Sequence, residues 1–166
     1  MSAIATTYLI KKEKLPELKE KAGAGIKVKK GLFGKSKENT DLFPIWFAAN
    51  TTELMTLGYS GFVFNSVLTY LDQEKGIDII NPQMKELSDD LSEKRPFMMN
   101  VYVLEDREKF LDKLEPSNFS SVEIAKFSVE LNEEGVPEEA CAAAIKMLHE
   151  SFQRIDANNA MIFYLY

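Results

Sequence analysis

The last seven residues, Ala160-Met161-Ile162-Phe163-Tyr164-Leu165-Tyr166, contain almost no polar group. A strand with one face in water alternates apolar and polar residues, so an unbroken apolar run of this length reads as a strand buried on both faces, at the middle of a small sheet. Immediately upstream, Val136-Pro137-Glu138-Glu139 opens the longest helix. Its residues Cys141, Ala144, Ile145, Leu148, Phe152 and Ile155 form one apolar face, and Asn158-Asn159 is the expected stop.

Further back, Phe97 to Leu104 reads as an internal strand, with Pro96 ending a polar helix that opens at Asn81-Pro82 and runs through Met84, Leu87 and Leu91 to about Lys94. A short helix from Asp106 to Leu114 follows. Ser120 and Glu123 have capping-box spacing, which predicts a helix to about Leu131. From Gly61 to Glu74, residues Phe64, Val67, Leu68 and Leu71 fall at helical spacing, and Gly76 is placed to cap that helix. At the N-terminus, Thr6 to Ile10 reads as a strand and Glu13 to Lys21 as a lysine-rich helix. Pro44 to Ala48 is expected to be a second strand, and Asn50-Thr51-Thr52-Glu53 to cap a short helix ending near Leu57. The order of elements predicts a helix-rich α+β fold with a small sheet, in one domain over residues 1–166.

Charge is distributed unevenly. The chain carries 20 Lys and Arg against 26 Asp and Glu, a net charge of −6. Ten of the lysines lie within residues 1–37, where there are only three acids. Residues 22–41, AGAGIKVKKGLFGKSKENTD, combine glycines and mutually repelling lysines with few apolar groups, and read as a long exposed loop or hairpin.

No stretch approaches the roughly 20 apolar residues that cross a bilayer. The N-terminal apolar run precedes its lysines, the reverse of a signal peptide, and predicts a cytoplasmic protein with no membrane association. A chain of 166 residues buries enough surface to hold a core without disulfides or structural metal. Cys141 and His149 are the only soft ligands, so one chain cannot assemble a zinc or iron–sulfur cluster. No metal or other cofactor is expected.

Candidate chemistry is sparse. Gly31-Leu32-Phe33-Gly34-Lys35-Ser36 ends like a P-loop, but Lys29 stands where that motif needs its first glycine, and Asn39, Asp41 and Pro44 disfavour the helix that should follow. Cys141 and His149 lie roughly 12 Å apart along one helix, too far for a thiolate–imidazole pair. Cys141 reads as a core residue and His149 as an edge-of-core or surface one. Asp89 and Asp90 with Glu86 and Glu93, and Glu105, Asp106 and Glu108, are interleaved with basic residues and read as salt-bridged, solvated helix faces.

The strand-then-helix opening, a helical middle containing Trp46, and the close Leu148-His149-Glu150-Ser151-Phe152-Gln153-Arg154 followed by Ala157 to Leu165 together resemble the small bacterial YfbM-like proteins of unknown function. The resemblance implies an α+β fold in a bacterial cytoplasm, and carries over no catalytic residue.

Small size, acidity and the lack of a catalytic constellation predict a non-enzymatic protein-binding domain, of which a toxin-neutralising immunity protein is the best-fitting kind. Its expected contacts are the acids Asp89, Asp90 and Glu93. The lysines Lys27, Lys29, Lys30, Lys35 and Lys37 offer an alternative surface for an acidic protein or an anionic surface, although the net charge argues against nucleic acid. A further alternative is a small-ligand or enzymatic pocket near Trp46, Tyr59 and the central helix.

Overall fold

The computed structural model describes residues 3–24, 27–31, 34–38, 41–95, 98–132 and 135–166. Four antiparallel strands form the main sheet: β1 (Ala5–Lys11), β4 (Thr51–Thr56), β5 (Met98–Tyr102) and β6 (Asn159–Leu165), in the order β4-β1-β6-β5. β6 is internal, as its composition predicts. Met161 and Phe163 join one core cluster and the alternating Ala160 and Ile162 another, so the strand is buried on both faces.

The first cluster is roofed by α3 (Val63–Lys75), α5 (Leu104–Phe110), α6 (Ser121–Asn132) and α7 (Glu138–Phe152). Here Phe64 meets Phe163 edge-on at 4.7 Å, and Phe152 packs between Tyr102 and Phe110. The second cluster is roofed by α1 (Leu15–Gly23), α2 (Phe43–Asn50) and α4 (Lys85–Lys94). The result is the expected α+β architecture, rich in helix. Among the described strands, β2 (Lys27–Gly31) and β3 (Gly34–Glu38) pair only with each other, which makes the basic segment a hairpin.

Local signals place several boundaries. Gly76 adopts φ 63° after α3, a conformation that costs glycine little, and its N–H returns to the Asp72 carbonyl. α4 begins at Lys85 rather than at Pro82, because Asp78 and Asn81 bond to each other in a turn ahead of it. Pro96 and Phe97, expected to stop this helix and open the next strand, lie outside the described residues. α7 stops at Phe152, earlier than expected, and Asp156 gathers Asn158 and Asn159 into the turn before β6. Only one arm of the expected capping box forms: the Glu123 N–H donates to Ser120 Oγ, while Tyr70 donates to the Glu123 carboxylate.

Two expectations are reversed. Residues Pro44–Ala48 form a helix and not a strand, because Pro44 sits in the first turn, where no N–H is needed, and Asp41 accepts the Phe43 N–H. Residues Thr51–Thr56 form a strand and not a helix. The Asn50 and Thr51 side chains donate backward to the carbonyls of Trp46 and Phe47, so they close the preceding helix instead of opening a new one. The β-branched threonines then pair with β1.

The two edges of the sheet differ. On β5, Met99 N–H donates to Ser92 Oγ at 2.9 Å and Val101 N–H to Ser88 Oγ at 3.0 Å, both serines standing on α4. Just beyond, Val103 N–H donates to Asp106. β4, at the other edge, has no neighbour on its outer side among the described strands.

Candidate functional site

The helix α2 reads Phe43-Pro-Ile-Trp-Phe-Ala-Ala-Asn50 and is apolar on every side. Such a helix is ordinarily buried all round. In this protein Phe43 and Phe47 point into the core, but Ile45 is 70% exposed and Leu42, just ahead of the helix, 65%. Trp46 is half-buried and its indole N–H donates to Glu17 at 2.6 Å, while Lys14 pairs with the same carboxylate. These bonds tie α2 to α1.

At its N-terminal end, Arg95 holds the approach to α2. Its guanidinium donates to both oxygens of Asp41 and to the Lys21 carbonyl, and lies 4.0 Å from the centre of the Phe43 ring. Lys21 precedes the basic hairpin and Asp41 follows it, so one side chain fastens both of its feet. The Arg95 interaction holds the Asp41 carboxyl below its usual range.

Between α2 and the sheet lies an open cleft of about 420 Å³, walled by Tyr8, Phe43, Phe47 and Tyr164 with Glu53 at its rim. Phe47 meets Tyr8 at 4.9 Å and 79°, and Tyr164 at 6.0 Å and 61°. Tyr166 lies tilted against Tyr164, with ring centres 4.8 Å apart. Burial first, then Tyr166, and then the Glu53 charge push the Tyr8 hydroxyl up to about 12. It therefore stays neutral at physiological pH.

The acids expected to bind a partner stand on α4. Asp89 pairs with Lys85 and Asp90 with Lys94, while Glu93 is exposed. Lys27, Lys29 and Lys30 lie on β2, and Lys35 and Lys37 on β3, in a register that sets Lys30 opposite Lys35. Gly34, Lys35 and Ser36 are therefore in a strand, whereas a phosphate loop would lead into a helix. The structure does not unite Trp46, Tyr59 and the central helix in a pocket: Trp46 packs against one face of the sheet and α3 against the other.

Cys141 is buried and its thiol is raised to about 11 by that burial. His149 faces Glu115 at 3.3 Å. Among the described residues no group of three or more His, Cys, Asp or Glu is placed to hold a metal ion, and no helix is long and apolar enough to cross a membrane. Asp106, expected on a solvated face, is 3% exposed and accepts the N–H groups of Val103 and Gln83. Burial raises its pKa against the opposing effect of those two donors.

Arg95, Asp41, Tyr8, Glu53 and Tyr164 were not indicated by any sequence motif. The available signal was the stretch from Leu42 to Ala49, which contains no charged residue and is long enough for two turns of helix. The chain matches no family model, no curated protein and no solved structure.

Proposed function

We propose that this protein is a non-enzymatic protein-binding domain that docks through the outer face of α2. The observation that carries this reading is the exposure of Ile45 and Leu42 on a segment whose composition suits a buried helix. A partner that covers these side chains removes apolar surface from water, worth about 25 cal/mol per Å² before the cost of association. The acidic balance of the chain outside its first 37 residues favours a basic partner and speeds encounter with it. Within this class, a cytoplasmic bacterial immunity protein that neutralises a toxin by covering it fits the size and charge.

The test is capture from lysate of the source organism, comparing the wild type with Ile45→Asp and with a triple charge reversal at Asp89, Asp90 and Glu93. A stoichiometric protein retained by the wild type and lost with Ile45→Asp, at an unchanged melting temperature, supports docking on α2. Retention by both variants refutes it. Toxicity of the captured protein when expressed alone, relieved by coexpression, tests the immunity reading.

The hairpin supports a second reading. Its two strands carry five lysines and one acid, with Lys30 set opposite Lys35 in the register, a charge balance that suits an anionic surface. Binding to anionic vesicles that weakens steeply with salt, and is lost when Lys27, Lys29, Lys30, Lys35 and Lys37 become Gln, would establish it.

A further inference from the structure

Glu53, the one charged group among the described residues that line the cleft beside α2, comes there through an irregularity in β4. Thr6 pairs with Thr56 and Thr7 with Met55, but the next residue, Tyr8, pairs with Glu53, so Leu54 has no counterpart in β1. In an unbroken strand Glu53 would share the face of Met55, which packs on the core roofed by α7. The extra residue turns Glu53 to the opposite face, beside Tyr8 and over the cleft. Bulges re-aim side chains in this way, often next to sites of binding or catalysis.

The walls match that carboxylate. Aromatic rings present negative potential at their faces and attract cations. Tyr8, Phe47 and Tyr164 come from three different elements, and both tyrosine rings stand at steep angles to Phe47, so aromatic surface lines the cleft. Glu53 accepts a hydrogen bond from the Thr56 hydroxyl at 2.9 Å, and no Lys or Arg of the described residues lies within ion-pair distance of it. Arg95 lies against Phe43 and pairs with Asp41, and Arg154, which borders a neighbouring hollow with Glu53, is beyond ion-pair distance of it. An anion would be repelled by Glu53, and a neutral apolar ligand would gain nothing from it.

We propose that this cleft is a binding site for an organic cation, an alkylammonium or guanidinium group seated on Tyr8 and Tyr164 with its charge toward Glu53. The site is separate from the outward face of α2 and stands whether or not that face docks a protein. The cation is supplied either by a free small molecule or by a lysine or arginine side chain, and the two sources share the same chemistry.

The test is titration of the intact protein, followed by the NMR signals of its tyrosine rings, with three probes: tetramethylammonium, N-acetyl-lysine amide, and tert-butyl alcohol as an uncharged isostere. Saturable shifts of Tyr8 and Tyr164 are expected with a cationic probe, with about fivefold weaker binding of the isostere. Glu53→Gln keeps the shape of the rim and removes the charge, and should weaken the cation by a similar factor. Saturation by tetramethylammonium alone supports a free ammonium ligand. Saturation by the lysine derivative supports a protein side chain. No saturation by either cation, equal affinity for the uncharged isostere, or undiminished binding to Glu53→Gln overturns the proposal.

Discussion

Arg95 and Asp41 are 54 residues apart in sequence, yet the guanidinium of one grips both carboxylate oxygens of the other while its flat side rests on Phe43. The pair joins the end of α4 to the start of α2, and through the Lys21 carbonyl to the end of α1. Three helices on one face of the sheet thus meet at one side chain.

Arg95→Ala should destabilise the fold by about 2 to 4 kcal/mol, because it removes two charge-assisted hydrogen bonds to Asp41 and the cation that rests on Phe43. Arg95→Lys should recover only part of this, since an ammonium cannot reproduce a planar two-pronged grip. Denaturant unfolding of the three proteins measures both effects.

Stability should fall in acid, and Asp41 should account for part of the loss. Its folded-state pKa is depressed, so its contribution is present above the unfolded value and disappears as pH drops through the folded one. Asp41→Asn should start less stable and lose less between pH values of about 5 and 2. Thermal melts across that range, with parallel slopes for the two proteins, would contradict this.

Ser88→Ala should cost about 1 to 3 kcal/mol, although it removes only one oxygen. The Val101 N–H that it strands is buried at the edge of β5. Faster hydrogen exchange at Val101 than at Met99, whose partner Ser92 is kept, would locate the damage.

Gly61→Ala should destabilise by about 1 to 3 kcal/mol. A Cβ there would stand 2.5 Å from a methyl of Leu165 and 3.0 Å from the backbone nitrogen of Ala5, and the strand backbone cannot yield. Chemical denaturation of the variant provides the measurement, and a change below half a kcal/mol would mean that the Tyr59–Phe62 loop moves freely away from β1.

Elements with their own periodicity or composition were legible in the sequence. The run Ala160–Tyr166 announced an internal strand, and Phe64, Val67, Leu68 and Leu71 announced α3, because burial on fixed faces leaves a regular pattern. The interval from Pro44 to Leu57 was misread in both halves. Uniformly apolar residues carry no period, and Asn50 and Thr51 bond as readily to carbonyls behind them as to amides ahead. The candidate site was still less legible. Glu53 reaches the cleft only through an unpaired Leu54, and Arg95 finds Asp41 only after α1, α2 and α4 have packed. Neither relationship leaves a mark at fixed spacing.

The serines of α4 also govern how this sheet can multiply. With the outward amides of Met99 and Val101 on β5 engaged by Ser92 and Ser88, and that of Val103 just beyond by Asp106, the open edge among the described strands of the four-stranded sheet is β4. Two copies that join there place β4 against β4 about a twofold axis, and each then presents a sealed β5 to the outside. Growth of this sheet by that route ends at a pair, short of the repeated strand addition that produces fibres.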